Sequence, residues 1–457
     1  MQKIRSGTLA ALLLGGILTP SLALAAAADS KTIRDAALKD EVAWDFTEGL
    51  TTEVGPRPAG TPQEARGRDW AVAKLKALGL SNVRAEPYTM PVWARGHEEA
   101  RIVAPFPQNL ALVGLGNSGS TGAQGIEGEV AWFPTIADLA AAPDSAVRGK
   151  IAFVGHDMRP TQDGSSYGQF GAARRQGPSI ASKKGAIAIL IKSIGTDHHR
   201  APHTGVQMWA EGATPIPAAA LSVPDAEQLA RVVARGKPVR VHLTLISQNL
   251  TDQPSGNVIA EVPGSDPKAG VVVAACHLDS WDQGTGAVDD ATGCGIVTAA
   301  ALQVKKAGAP RRTIRILMAG AEEVGGDGAR AYFKAHGAEP HALVMESDFG
   351  ADRVWRVDFK LPADHEGLSE RIATGLAPLG IGAGGQEAGG GADIAPLVKA
   401  GVPVIDLQQD GTRYFDLHHT PDDTFDKVDK AQLQQNVAAW SIVLNEVANA
   451  SETLGIK

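Results

Sequence analysis

Four groups of histidine and acidic residues lie in the C-terminal half of the sequence. His277 and Asp279 stand in HLDS, and twelve residues past His277 comes the Asp289-Asp290 pair of GAVDDATG. Glu322 and Glu323 are adjacent in AEEVGG, Asp348 sits in MESDFG, and His418 and His419 open HHTPDDTF. Singly, each is ordinary: paired carboxylates are common in solvated loops. Gathered in one buried place, such carboxylates must protonate or destabilise the chain unless a cation balances them. Two divalent cations would do so. Two imidazoles among mainly carboxylate donors fit zinc, with cobalt or manganese able to substitute, whereas magnesium uses fewer imidazoles and more water. A water held between two such cations loses a proton readily, so the chemistry expected is hydrolysis.

The elements needed to gather these groups are legible around them. The apolar runs 271–275, 313–319, 341–345 and 402–407 read as strands of a buried parallel or mixed sheet, separated by helical stretches such as 291–306 and 329–336. His277, Glu322, Asp348 and the HHTPDDT motif each follow one of these runs, and ligands in open α/β sheets collect at the C-terminal ends of strands. A last helix over 430–448 can cover one face. Residues 35–82 read as helical around a Gly/Pro-rich loop beginning at Val54, with Thr61 capping a helix that Gly79 stops. Between 126 and 245 the texture changes to short strands at 128–133, 149–155, 186–192 and 239–246 with a helical piece at 180–184. The expected organisation is therefore an α/β fold, a mixed, mostly parallel sheet sandwiched by helices. Residues 30–125 and 250–457 form the two parts of one catalytic domain, and 126–245 is an α/β insertion.

The first 27 residues read as a secretory signal peptide: Lys3 and Arg5, an apolar run from Leu9 to Leu18, then small residues from Ala23 to Ala28. The run is too short to span a bilayer, and no later segment is long and apolar enough. An exported, periplasmic or extracellular protein without stable membrane insertion is expected. The formal net charge of −8, without a basic stripe, argues against nucleic acid as a partner. Cys276 and Cys294 are the only cysteines. Because metal ligation would already fix the loop between them, two free buried thiols are expected rather than a bridge. The GTDHHRAPHTG stretch (195–205) has histidines but no carboxylate cluster, so loop polarity is expected there and not a third metal.

The spaced motifs HLDS…GAVDDATG, AEEVGGDGAR, MESDFG and HHTPDDTFD resemble those of the zinc exopeptidase family that includes bacterial leucyl aminopeptidases and plasma glutamate carboxypeptidase. The resemblance spans about residues 40–450, including the RPAGT loop, and the insertion resembles a protease-associated domain. It implies a phosphorylase/hydrolase-like zinc exopeptidase fold with two zinc ions per chain. Asp289 would bridge them, His277 and Asp348 would complete one site, and Glu323 and His419 the other. Spacing alone allows His418 or His419; the family's His before Thr-Pro selects His419. Glu322 would be the general base, taking a proton from the attacking water and passing it to the departing amine. Asp279 would accept the second ring N–H of His277.

Two features depart from the family pattern. Cys276 occupies a position where a small residue is expected, and Ala392-Asp393-Ile394 stands where many aminopeptidases carry Ser-Asp-His, closer to the carboxypeptidase-like branch. The metal motifs lean toward aminopeptidase action on short peptides. The alternative, a carboxypeptidase or dipeptidase, needs a donor for a terminal carboxylate, for which Arg413 beside Tyr414 is the candidate. Oligomeric state is not legible. Rival readings are another amide substrate, as in glutaminyl-cyclase-like acyl transfer, and a non-catalytic binding module. The presence of Asp289, Glu322 and Glu323 opposes the second, and no GxSxG motif supports a serine hydrolase.

Overall fold

Strand Val271–His277 is central to the chain's chemistry, and its alternation shows how the sheet is held. Val272, Ala274 and Cys276 face one apolar core, while Val273 and Ala275 face another. This two-faced burial explains the unbroken apolar run, since neither face of the strand meets water. The first core is closed by helices Val42–Gly49, Thr292–Ala307 and Lys430–Asn449, the second by Asp327–His336 and Ala395–Lys399. These features come from a computed structural model in which residues 29–455 are described; the signal peptide read over 1–27 lies outside them.

Parallel neighbours Thr313–Ala319 and His341–Glu346 flank this strand. Outward from His341–Glu346 follow Val404–Gln409 (parallel), Val354–Lys360 (antiparallel) and Gly382–Glu387. On the other side Thr313–Ala319 pairs antiparallel with Arg240–Val262. The sheet is thus mixed, mostly parallel near the chemistry, and sandwiched by helices. Helix Pro62–Ala77 begins as the sequence indicates, with Thr61 Oγ1 accepting from the Glu64 amide at 3.3 Å.

The sequence discloses no strand over Ser81–Ala104 and only the 239–246 part of Arg240–Val262. Ser81–Ala104 pairs antiparallel with Arg240–Val262 along almost its whole length, with four register shifts. Pro87, Pro91 and Gly96 interrupt its alternation, and an edge strand tolerates them because its outer N–H groups need no partner. Arg240–Val262 also carries the 126–245 segment, its Val241 and neighbours pairing antiparallel with Gly128 and neighbours of strand Ile126–Phe133. From there Ile151–Val154, Ala188–Lys192 and Ala218–Leu221 follow in parallel, and Leu112–Gly114 closes the edge antiparallel. No helix among the described residues is long and apolar enough to cross a membrane.

The free-thiol expectation is corrected. Cys276 and Cys294 form a disulfide, their Cα atoms 5.2 Å apart. Cys276 points to the face on which helix Thr292–Ala307 packs, and Cys294 lies in that helix's first turn, so the strand end and the helix start are in direct contact. Ligation of the intervening loop does not separate them.

Candidate metal centre

His277 ends its strand fully buried, with Nε2 3.0 Å from Asp289 Oδ1 and 3.3 Å from Asp348 Oδ1. Its Nδ1 lies 3.0 Å from the Asp279 carbonyl and 3.7 Å from the Asp279 carboxylate. The nearer acceptor is therefore main chain, not the side chain expected from the sequence. That side chain instead accepts from the Glu322 amide at 3.1 Å, fixing the loop that bears both glutamates. The two glutamates diverge: Glu323 Oε2 is 2.9 Å from His419 Nε2, whereas Glu322 groups with His277 and Asp348.

Asp289 faces both sets. Its second oxygen lies 3.4 Å from His419 Nε2 and 3.7 Å from His418 Nε2. His419, at φ +62°, contacts both Glu323 and Asp289, while His418 stacks on it with ring centroids 3.5 Å apart. The neighbouring Asp290 has turned away. It accepts from the His277 and Gly293 amides and so ties the strand end to the following helix.

Several supporting residues escaped sequence reading. Asp423 accepts from the amides of Ala287, Val288 and Asp289, holding the loop that presents Asp289. Arg57, in the RPAGT loop, is fully buried and donates to the carbonyls of Gly55, Leu278, Thr285 and Gly286. Gly286 allows this: at φ +61°, a Cβ there would meet Arg57 Nη2 at 2.7 Å. Burial lowers the Arg57 guanidinium to about 10 despite the nearby Asp423 and Asp279 charges. In the sequence the RPAGT motif signalled a family, but nothing distinguished its arginine from a loop cation.

The 126–245 segment also reaches the site. His203 is buried, its Nε2 2.6 Å from Asp197 and its Nδ1 2.7 Å from the His418 carbonyl, and the Thr204 amide donates to the His419 carbonyl. His198 and His199 are exposed. Of the histidines of 195–205 His203 thus steadies the ligand turn, and no cluster of metal-competent groups among the described residues includes any of the three. Arg174 and Tyr167 join Phe349, Tyr414 and Phe415 around a cavity of about 260 Å³ that the metal-facing side chains share. Tyr414 thus lines the cavity. Arg413 does not line this cavity: its guanidinium is held by both oxygens of Asp352 at 2.6 Å.

The electrostatics are those of a centre short of positive charge. Burial, then the Asp348 charge, pushes the Glu322 carboxyl up to about 8. Burial and Asp289 raise Glu323 well above the usual range, and burial raises Asp348. Burial also opposes ionisation of Asp289, but the hydrogen bond from His277 and the charge of that imidazolium outweigh it and lower its pKa. His277 is raised well above its ordinary value because Asp348, Asp279 and Asp289 overcome burial. Burial alone would keep His418 and His419 neutral. Asp289 Oδ2, Glu323 Oε1 and Asp279 Oδ2 are buried without hydrogen-bond partners, a cost that calls for a counterpart. Donor chemistry and orphaned oxygens fit divalent cations at His277/Asp289/Asp348 and Asp289/Glu323/His419.

Fold and cluster together define a class, an α/β hydrolytic enzyme with a buried His/carboxylate centre at the strand ends. The profile of peptidase family M28 matches residues 257–443. Carboxypeptidase Q of Bos taurus is 35% identical over 409 residues, covering 89% of this chain and 85% of that protein. The aminopeptidase YwaD of Bacillus subtilis (strain 168) is 24% identical, covering 94% and 90%. A solved structure, a peptidase M28 precursor from Shewanella amazonensis SB2B, superposes with a TM-score of 0.91 at 43% identity over 93% of this chain and 97% of that one. A zinc aminopeptidase of B. subtilis shares the fold at TM-score 0.64 and 20% identity. This chain belongs to peptidase family M28, and it is a metallopeptidase.

Proposed function

We propose that the chain is a co-catalytic dizinc exopeptidase that hydrolyses terminal peptide bonds of short peptides. The observation that carries this is Asp289, whose two oxygens face two separate donor sets, His277/Asp348 and Glu323/His419. When bound, the two cations supply Lewis acidity, lowering the pKa of a water and offsetting negative charge on the reacting carbonyl. Glu322, next to a ligand but aimed apart from it, takes the proton of the attacking water and delivers it to the departing amine. Asp279 holds the Glu322 amide and, through its carbonyl, the His277 ring. Burial keeps the Tyr414 phenol protonated, so in the cavity wall it donates to a substrate oxygen.

We read the carboxyl end of the peptide as the one recognised, in the manner of a carboxypeptidase or dipeptidase. The similarity to carboxypeptidase Q, higher than that to the aminopeptidase YwaD, moves the balance away from the aminopeptidase reading favoured by the sequence. Aminopeptidase action keeps one observation in its favour: Glu322 and Asp348 line the cavity and can accept an ammonium. Arg413, engaged by Asp352, is a poor carboxylate donor. The 126–245 segment is an insertion of protease-associated type that positions substrate, and the leader directs export. The end-specificity is tested with zinc-loaded enzyme and matched peptides, one N-acetylated and one C-amidated, with products identified by mass. Acetylation should leave cleavage intact and amidation should suppress it; the opposite pattern identifies an aminopeptidase.

A further inference from the structure

A groove of about 780 Å³ meets the centre at Glu323 and Trp281. Its walls are apolar: Met90, Val92 and Trp93 come from strand Ser81–Ala104, Leu250 from Arg240–Val262, Met208 from the insertion and Trp281 from the loop after His277. Met208 and Leu250 are 65% and 39% exposed, two of the four large apolar side chains left in solvent among the described residues. Apolar exposure gathered in one concavity marks a ligand groove. Trp281 carries the groove to the metal donors, its ring centroid 5.7 Å from that of His419. Gly116 backs that ring closely, since a Cβ there would meet the indole at 2.7 Å. Trp93 spends its N–H on the Ser118 carbonyl at 2.9 Å, which leaves its ring as the surface on offer.

Every charged side chain in these walls is already answered. Arg95 pairs with Asp282 at 2.7 Å and with Glu98 at 2.8 Å, Arg330 pairs with Asp327 at 2.7 Å, and Glu323 faces His419 in the metal donor set. Outside that set, a peptide's free ammonium would find no carboxylate here without a cation of its own, and lodging it away from water would be costly. A neutral chain meets no such cost. The orientation of the substrate follows from the base. Glu322, which delivers its proton to the departing amine, lines the smaller cavity and not this groove, so the acyl half of the scissile bond faces the groove.

We propose that the enzyme also hydrolyses N-acyl amino acids, with a neutral, unbranched acyl chain of medium length lying in this groove against Trp93, Trp281 and the two methionines. This rests on the carboxyl-end reading above, since such a substrate has a free carboxylate and no free amine. The reaction balances as peptide hydrolysis does. Water adds to the acyl carbon as the C–N bond breaks, giving a fatty acid, and the proton that Glu322 takes from the water leaves on the nitrogen of the amino acid. Burial of methylenes supplies the affinity, and the unbranched side chains of Met90 and Met208 adapt to the chain without directional contacts.

The test uses the full-length zinc-loaded enzyme with N-acetyl-, N-butanoyl- and N-octanoyl-leucine, each below micelle-forming concentration, and released leucine is measured by mass. From acetyl through butanoyl to octanoyl, kcat/KM should rise by about 10- to 100-fold, the gain from methylenes partly covered in an open groove. The double variant Met208→Ser/Leu250→Ser alters two exposed side chains, and zinc is counted on it beside wild type. It should cut the octanoyl-to-acetyl ratio by about 3- to 10-fold. Should it lose zinc, the same ratio in Leu250→Ser alone decides. No gain from acetyl to octanoyl in wild type overturns the proposal while leaving carboxyl-end cleavage standing. A gain that the variant leaves intact puts the acyl chain elsewhere and overturns it as well. An N-acetylated peptide of serine and glutamine ending in leucine checks the other occupant. If it is cleaved faster than octanoyl-leucine and loses as much in the variant, the groove reads peptide main chain and the acyl assignment is wrong. Failure of all three N-acyl compounds where the free-amine dipeptide alanyl-leucine is cleaved overturns both readings.

Discussion

The sheet ends and the insertion meet at one centre but contribute to it differently. The sheet side supplies every candidate ligand, from a strand end or from the connections that follow the strands. The insertion supplies none, yet its Arg174 lines the cavity and its His203 and Thr204 hold the turn that carries His419. The proposed division is between residues that would bind metal and residues that would hold substrate and the ligand turn. It predicts unlike consequences for substitutions lying a few ångströms apart.

The largest effect should come from the sheet side. Asp289→Ala removes the carboxylate common to both donor sets, so metal content should collapse and turnover should fall by at least about 10⁴-fold, about 5.5 kcal/mol in the barrier. Substantial activity with one metal retained would break the division by showing that the two sets do not depend on a shared residue. On the insertion side, His203→Asn should leave the fold and Glu322 in place but weaken zinc affinity by about 10- to 100-fold, since residues behind a ligand set its orientation. Competition with a chelator measures this, and unaltered affinity would reduce the insertion to a cover.

The smallest effect concerns the insertion alone. His156 lies within it, with Nε2 near the carbonyls of Lys192 and Ser193 and Nδ1 accepting from the Met158 amide. Burial, then the Lys192 charge, lowers its pKa to about 4. An unfolded chain takes up this proton first, near about 6.5, so the stabilisation by neutral His156 is complete above that pH and is lost as pH falls toward 4. Between pH 7.5 and 4.5 metal-free wild type should lose on the order of 1–3 kcal/mol more stability than His156→Gln. Parallel denaturation curves for the two proteins across that interval would remove the histidine from the account.

The same contrast governs what the sequence disclosed. Ligand motifs were legible because each is a polar group at or beyond the end of a strand of branched apolar residues, and the sandwich followed from the same runs. Arg174 was not, because an arginine pair in AARR has the appearance of a solvated helix face; only the packing of the insertion against the ligand turn buries Arg174. Arg57 and Asp423 act on main-chain groups of distant loops, which no local pattern announces. Ser81–Ala104 was hidden by its prolines. The Cys276–Cys294 bridge turned on whether a strand end touches the next helix start, a question of tertiary contact.

The central claim, a two-metal hydrolase whose base is free of the metals, is tested most directly by Glu322→Gln. Metal per chain and peptide turnover are measured on the same zinc-saturated sample beside wild type. The account predicts two zinc ions per chain in both proteins and turnover lower in the variant by about 10²–10⁴-fold, the span of general-base catalysis. Wild-type turnover in Glu322→Gln, or fewer than two ions per chain at saturation in the wild type, would contradict it.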